Sequence, residues 1–421
     1  MIEFLAPYVD RGELPGAVAV VDRGGRTEVA AVGSAVLPGA VAVVDRGGRT
    51  EVAAVGSAVL PGAVAVVDRG GRTEVAAVGS AVLPGAAMTP DSIFRIASAT
   101  KPITAATLLT LVDDGAVQLD APARQWLPEL AAPMVARTPD TLDLVPATRP
   151  ITVHDLLNST TGWGFPSDFE LPAVQALFPV QPDGRRVRAF PPRDEWLRRL
   201  AGVPMLHQPG QAWLYDTSST LQGALIERVT GRTLGEVMAE RFFGPLGMRD
   251  AAFHVPAASL DRFTACYQLG SAGLELYDAP AGDFAAPPAF ELGNGGLVMT
   301  AGDWAAFGRM LLAGGVAPDG RRLLSEASVR AMLTDQTTAE QRASGLLFFE
   351  EGQGWSFGGS VDLASSPLGL VPGRYGWVGG TGTSAFVTPS SDTVAVLFTQ
   401  VAMAGPGTPA WMYDFWRYVA S

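Results

Sequence analysis

Two hydrophobic periods divide this chain. Over residues 14–82, and again over 354–400, apolar positions fall in short β-rich runs punctuated by glycine; between them they recur at helical spacing. The first β-rich run covers residues 17–22. Gly24-Gly25 follows as a two-residue hairpin turn, where positive φ costs nothing, and residues 27–32 return. Over residues 99–114, Ile103, Ala106, Leu109 and Leu111 lie on a helical period that Gly115 stops. Residues 152–157 open a second helix, halted near Thr160-Thr161-Gly162. Further helices are predicted over 193–201, 218–230, 233–243, 301–312 and 325–333, and a last one over 410–419. Strands are predicted over 354–361, 375–388 and 393–400. Residues 163–193 are rich in proline and phenylalanine without clear period, and read as a long ordered loop of the kind that forms lids. Strands at both ends with helices between predict an α+β fold: one antiparallel sheet flanked by helices, with a mostly helical region inserted. The division expected is residues 1–97 with 350–421 for the sheet region, and 98–349 for the helical one.

Residues 14–36, 37–59 and 60–82 are the same 23-residue string, LPGAVAVVDRGGRTEVAAVGSAV, and a fourth copy begins at Leu83-Pro84-Gly85-Ala86 before diverging. Natural repeats drift, so identity points to a very recent or an engineered duplication. A solenoid would fill the whole fold with its repeats, and this chain does not. Two of the three copies read as surplus to the parent fold. Identical hairpins compete for one slot beside the C-terminal strands, and the others either loop out or pair on at the free edge. An edge extended in this way is a template for a second chain, so a homodimer is expected.

The net charge of −12 at pH 7 argues against nucleic acid and anionic membrane as partners. Cys266 is the single cysteine, which excludes an intrachain disulfide; with no histidine nearby it reads as a small core residue rather than a reactive thiol. Met1-Ile2-Glu3-Phe4-Leu5 has neither a basic segment nor a long apolar run, so no signal peptide or membrane span is expected and a cytoplasmic location is the default.

The chain contains one lysine, Lys101, three residues after Ser98 in Ser98-Ala99-Thr100-Lys101; every other basic residue is arginine. A guanidinium keeps its proton in a protein, whereas an ammonium can lose it when desolvated or crowded by positive charge. Residues three apart on a helix share a face, so this amine can reach the serine hydroxyl as the base of a nucleophile. The competing reading is a surface lysine near a helix start. Tyr215, in Trp213-Leu214-Tyr215-Asp216-Thr217-Ser218, is a candidate proton relay if it lies beside the lysine; otherwise it is a core tyrosine with a satisfied hydroxyl.

Phe94-Arg95-Ile96-Ala97-Ser98-Ala99-Thr100-Lys101-Pro102 resembles the first motif of the serine β-lactamase-related hydrolases, which comprise class C β-lactamases, DD-peptidases and family VIII carboxylesterases. Ile151-Thr152-Val153-His154-Asp155-Leu156-Leu157 resembles the segment leading to their serine-glycine turn, here Thr161-Gly162. Tyr215-Asp216-Thr217 falls where the family carries Y-x-N, and Gly295-Gly296-Leu297-Val298-Met299-Thr300 resembles a further segment. Trp377-Val378-Gly379 falls at the K-T-G position. The resemblance spans nearly the whole chain apart from the surplus repeats. It implies a β-lactamase/DD-peptidase-like fold, Ser98 as acylated nucleophile, Lys101 as its base partner and Tyr215 as proton relay. It implies an oxyanion hole from the backbone N–H groups of Ser98 and Gly380, and no cofactor or metal. Substrate contacts are expected from Trp377, Gly379, Thr217, Trp163 and Phe165, with Phe169, Phe178 and Phe190 adding apolar surface.

Two departures redirect the substrate. Thr217 shortens the family's asparagine to a hydroxyl. Trp377 replaces the lysine that helps bind the carboxylate of a β-lactam, which favours neutral, apolar ligands and resembles family VIII esterases. The expectation is a serine hydrolase for small carboxylic esters. The alternatives are a β-lactamase, amidase, DD-peptidase or acyltransferase on the same serine, and a non-catalytic binding protein or repeat-insertion scaffold. Gly354-Trp355-Ser356-Phe357-Gly358 fits the G-x-S-x-G elbow, but a strand-like run follows it, and His154, His207 and His254 all precede it. A Ser-His-Asp site of that order cannot be built there.

Overall fold

A computed structural model describes residues 62–70, 72–78, 80–82, 87–271 and 273–421, together with the backbone of the strands Gly16–Arg23, Arg26–Gly33, Asp45–Arg46 and Arg49–Thr50. The N-terminal residues read for a leader and the Leu-Pro joints between copies lie outside the described residues.

Six antiparallel strands form the sheet, in the order Gln353–Trp355, Ser360–Asp362, Tyr375–Gly379, Thr383–Thr388, Thr393–Thr399 and Ala63–Arg69. The two ends of the chain therefore meet, with Ala63 opposite Thr399 and Arg69 opposite Thr393. Helix Ala301–Leu312 packs on one face of these strands. Helix Ala410–Ala420 covers the other, where Trp416 meets Phe386 and donates to Ser384 Oγ at 2.9 Å. Cover on both faces explains why Val64, Ala65, Val66 and Val67 are all buried, and why the run is apolar without alternation.

The third hairpin copy fills the slot. It leads straight into the core, bridging Ser80 to Ala87, while Gln400 Nε2 donates to Ala81 and Ala265. Asp68 is buried and paired with Arg309 at 2.9 Å. An earlier copy in the same slot would leave the later ones as a long closed loop, at an entropic cost that grows with its length. The first copy closes as its own hairpin, Arg23 opposite Arg26, and the second repeats that register at Arg46 and Arg49. The Gly16–Arg23 strand lies alongside Arg72–Val78.

The helices fall where the period places them. Lys101–Asp113 is the buried central helix, and Gly115 ends it at φ +71°. Thr152 and Thr300 cap their helices reciprocally with Asp155 and Asp303. Three predicted elements differ. Residues 354–361 form two short strands folded back on each other, Trp355 opposite Ser360, because the chain turns at Gly358 with φ +78°. Residues 375–388 are likewise two strands. Residues 163–193 include a helix, Pro172–Leu177. Among the described residues, no helix is long and apolar enough to cross a membrane.

Candidate active site

The nucleophile stands at the junction of the sheet and the central helix. The short strand Phe94–Arg95 pairs with Val298–Met299, and Ile96 N–H donates to the Leu297 carbonyl at 3.1 Å. The backbone then enters the left-handed region at Ala97, φ +44°, an unusual conformation for a residue with a Cβ. A 3₁₀ turn, Ala97–Thr100, carries Ser98 into the start of the Lys101–Asp113 helix. Residues three apart eclipse in a 3₁₀ turn, which sets Lys101 over Ser98 more directly than an α-helix would. The neighbouring sheet locks the turn. Thr383 Oγ1 donates to the Ile96 carbonyl at 2.9 Å and Thr381 Oγ1 to that of Arg95 at 2.6 Å. A Cβ at Gly379 would overlap both the Ile96 carbonyl oxygen and Thr383 Oγ1, so only glycine lets the strand approach this closely.

Ser98 Oγ has two polar neighbours. Lys101 Nζ donates to it at 2.8 Å and the Tyr215 hydroxyl lies 2.9 Å away. Lys101 is 1% exposed, and its other two N–H groups go to Asp216 Oδ1 at 2.8 Å and the Asn294 carbonyl at 2.7 Å. Burial pulls the ammonium pKa down, but the Asp216 carboxylate and Tyr215 outweigh it, so the net shift is upward. Lys101 is therefore charged at rest. The neutral amine expected from desolvation alone is not formed, because a counter-ion came into the pocket with it.

Asp216 is the group that sequence reasoning missed. It sits at φ +80°, ψ −63°, and Thr217 N–H donates to the Tyr215 carbonyl at 3.2 Å across it. That is a γ-turn of the strained hand. Asn294 Nδ2 at 2.7 Å and Gln181 Nε2 at 2.9 Å bind its second oxygen. The signal was present in the sequence: a lone lysine buried beside a serine requires an anion, and Asp216 adjoins the candidate tyrosine.

Tyr215 is fixed from three directions. It exchanges backbone hydrogen bonds with Phe165, at 2.9 and 3.0 Å. The Phe348 ring stacks on its ring at a centroid distance of 4.5 Å. Trp377 Nε1 donates to its hydroxyl at 2.9 Å. Trp377 is thus more than an apolar wall: its indole N–H supplies a donor at the tyrosine oxygen, within a cluster of Trp213, Trp355 and Trp377.

These groups open into a cavity of about 410 Å³. Ser98, Tyr215, Trp377, Gly380 and Phe165 line it, as do Phe169, Phe178 and Phe348. At its polar end Arg185 Nε pairs with Asp183 at 2.8 Å. The other expected contacts lie elsewhere. Thr217 is fully buried, its hydroxyl without a hydrogen-bond partner among the described residues, because the γ-turn directs Asp216 to the site and Thr217 into the helix packing. Trp163 is a core residue whose Nε1 donates to the Val203 carbonyl at 2.8 Å. Gly379 serves by its closeness to Ile96, not by lining the cavity, and Phe190 belongs to the core. Ser356 is buried, its hydroxyl donating to the Ala331 carbonyl at 2.8 Å. Burial pushes the Cys266 thiol up to about 11, in keeping with a packing role.

A family model described as Beta-lactamase matches residues 1–414. Protein Rv1367c of Mycobacterium tuberculosis is 34% identical over 324 residues, covering 74% of this chain and 78% of that protein. Esterase EstB of Burkholderia gladioli is 32% identical over 346 residues, 76% of this chain and 81% of the esterase. Among solved structures, EstCE1, described as a hydrolase with promiscuous acyltransferase activity, superposes with a TM-score of 0.70 at 23% identity, over 85% of this chain and 93% of that one. The shared fold, the extent of the match and an esterase among the relatives place this chain in the beta-lactamase family of serine hydrolases.

Proposed function

We propose that the protein hydrolyses small carboxylic esters through an acyl-enzyme on Ser98. The observation that carries this reading is the convergence of Lys101 Nζ and the Tyr215 hydroxyl on Ser98 Oγ, at 2.8 and 2.9 Å, beside an aromatic-lined cavity. Ser98 Oγ attacks the ester carbonyl carbon while its proton passes to the Tyr215 oxygen, whose own hydroxyl proton is the one released toward the departing alcohol. The carbonyl oxygen takes the negative charge, stabilised by the backbone N–H groups of Ser98 and Gly380. The carbon–oxygen bond to the alcohol breaks, and Tyr215 passes that proton to the departing oxygen. Water then attacks the acyl-serine, Tyr215 accepts its proton, and Ser98 recovers a proton as the acid leaves. Lys101 stays an ammonium throughout, holding positive charge at the two oxygens that exchange the proton. Trp377 steadies the tyrosine oxygen.

The apolar lining supports a neutral acyl or alcohol group, since the cavity's cation, Arg185, is already paired with Asp183. The same acyl-enzyme can pass its acyl group to an alcohol. The four phenylalanines lining the cavity, which hold water poorly, favour that second reading, and adding butanol to the assay measures it as butyl ester formed.

Nitrophenyl butyrate tested beside a chromogenic cephalosporin decides the reading. Ser98→Ala is expected to abolish ester turnover and Ser356→Ala to leave most of it. A dead Ser356→Ala with an active Ser98→Ala would remove Ser98 as the nucleophile. A cephalosporin turned over with kcat/KM above that of the best short ester would overturn the substrate class.

A further inference from the structure

A second cavity, of about 240 Å³, lies between the outer face of the sheet and the C-terminal helix Ala410–Ala420. It shares no lining residue with the cavity at Ser98. Arg374 lines it and is 4% exposed. Its guanidinium carbon lies 4.3 Å from the ring centroids of both Phe386 and Trp416, which meet edge to face beside it at 5.3 Å. The two rings form an aromatic corner against the cation and offer its N–H groups no acceptor.

Those N–H groups are underused. Nε donates to Asp362 Oδ2 at 2.7 Å, and this is the one hydrogen bond of the guanidinium among the described residues. Nη2 is buried without an acceptor. Asp362 is shared, accepting also from Gln353 Nε2 on Oδ1 and from the Val371 N–H on Oδ2, each at 2.9 Å. An arginine carries five N–H donors, and a buried donor without an acceptor is costly to leave so. A second cation, Arg69, stands at the rim, tied to the Val419 carbonyl at 2.9 Å. Besides the two arginines, Thr388, Ser391, Thr393 and Ser421 are the polar lining residues; the remaining walls are chiefly apolar, with Phe415, Trp416 and Ala395 among them.

We infer that this cavity binds a small monocarboxylate with an apolar body. A carboxylate meets the free guanidinium edge in the plane that arginine recognises best. The aromatic and aliphatic walls take a hydrocarbon portion and are poorly suited to a phosphate, whose every face is polar. The volume corresponds to about eight waters, so an acid of roughly six to ten heavy atoms fits. Binding here does not depend on the reaction at Ser98.

Benzoate and benzamide have the same shape and differ in charge, so calorimetry with the full chain tests the inference. Benzoate is expected to bind at least tenfold more tightly than benzamide. Ala395→Leu, which fills the cavity and leaves the Arg374–Asp362 pair intact, is expected to weaken benzoate at least tenfold. Crystals of the unaltered protein with 4-bromobenzoate are expected to show anomalous bromine density beneath the C-terminal helix, a measurement that stands even if the leucine variant fails to fold. Equal binding of benzamide, unchanged binding in Ala395→Leu, or bromine only in the Ser98 cavity would overturn the site. Inorganic phosphate bound there in place of benzoate would overturn the ligand class.

Discussion

A strained carboxylate holds the single lysine of this chain. Backbone in the conformation of Asp216 costs on the order of 1–3 kcal/mol, and persists where surrounding contacts over-determine it. Here Lys101, Asn294 and Gln181 do so. Replacing Asp216 by asparagine keeps the shape and removes the charge. The opposing charge that raises the Lys101 pKa is then lost while the burial that lowers it remains, so the ammonium gives up its proton at a lower pH. Asp216→Asn is expected to move the alkaline limb of the kcat profile to lower pH and to reduce kcat at pH 8 by about tenfold or more. Asp183→Asn, at the polar end of the cavity, is expected to leave that limb in place. An unmoved limb in Asp216→Asn would mean that another group governs the charge on Lys101. The tryptophan departure is also decided at this scale. Where the family resemblance implies a lysine, Trp377 places a neutral donor on the Tyr215 hydroxyl.

The Ala301–Leu312 helix shows how an element supports the site without touching it. Trp304 Nε1 donates to the Ala99 carbonyl at 3.1 Å, bracing the nucleophile turn. Its N-terminus is closed by the reciprocal bonds of Thr300 and Asp303. Burial raises the Asp303 carboxyl to about 6, against the lowering effect of the hydrogen bonds from Thr300. The folded protein therefore binds more protons than the unfolded chain between about pH 4 and pH 6. This contribution is full below that window and is lost as pH rises through it. Its size is about 3 kcal/mol, at about 1.4 kcal/mol for each pKa unit. Asp303→Asn retains an N-cap partner and removes the titration. In urea unfolding at pH 4.5 and pH 7.5, the variant is expected to gain on the parent protein as pH rises. A constant difference between the two proteins at both pH values would show that Asp303 does not titrate in this range.

At the scale of the whole molecule, the third hairpin copy pairs with Thr393–Thr399, and we propose that the first two are surplus to the parent fold. Each copy carries the residues that the third uses in the slot: Asp22 and Asp45 correspond to Asp68, and Thr27 and Thr50 to Thr73, whose hydroxyl donates to Asp68 at 2.5 Å. Deleting residues 14–59 removes the first two copies and retains the third beside Thr393–Thr399. The shortened chain is expected to fold and to keep nitrophenyl butyrate turnover within about twofold. Loss of folding would make the extra copies part of the parent sheet. We propose further that these copies add an edge on which a second chain can pair. Sedimentation of the two forms measures it: an association that vanishes with the deletion supports the proposal, and an unchanged monomer overturns it.

The local period of apolar residues determined most of the elements. Helix positions, their threonine caps and the meeting of both chain ends in one sheet follow from spacing and propensity, which act over a few residues. The proximity of Ser98 and Lys101 follows likewise, because serine and lysine three apart are neighbours in any helical turn, whereas Tyr215 is marked by the family resemblance. Only the tertiary structure decided what those groups are. Asp216, held by Asn294 and Gln181, lies far from Lys101 in sequence, yet against the effect of burial it raises the Lys101 pKa, because a buried ammonium responds to whatever anion folding brings within 3 Å. Thr217 stands next to the cavity residue Asp216, and Trp163 two positions from Phe165, and both are still core residues, because the local turn of backbone selects which side chain faces the cavity. Three identical strings could not say which copy enters the sheet. The closure of the chain onto the C-terminal strands chose the third, since it leaves the shortest connection to the core.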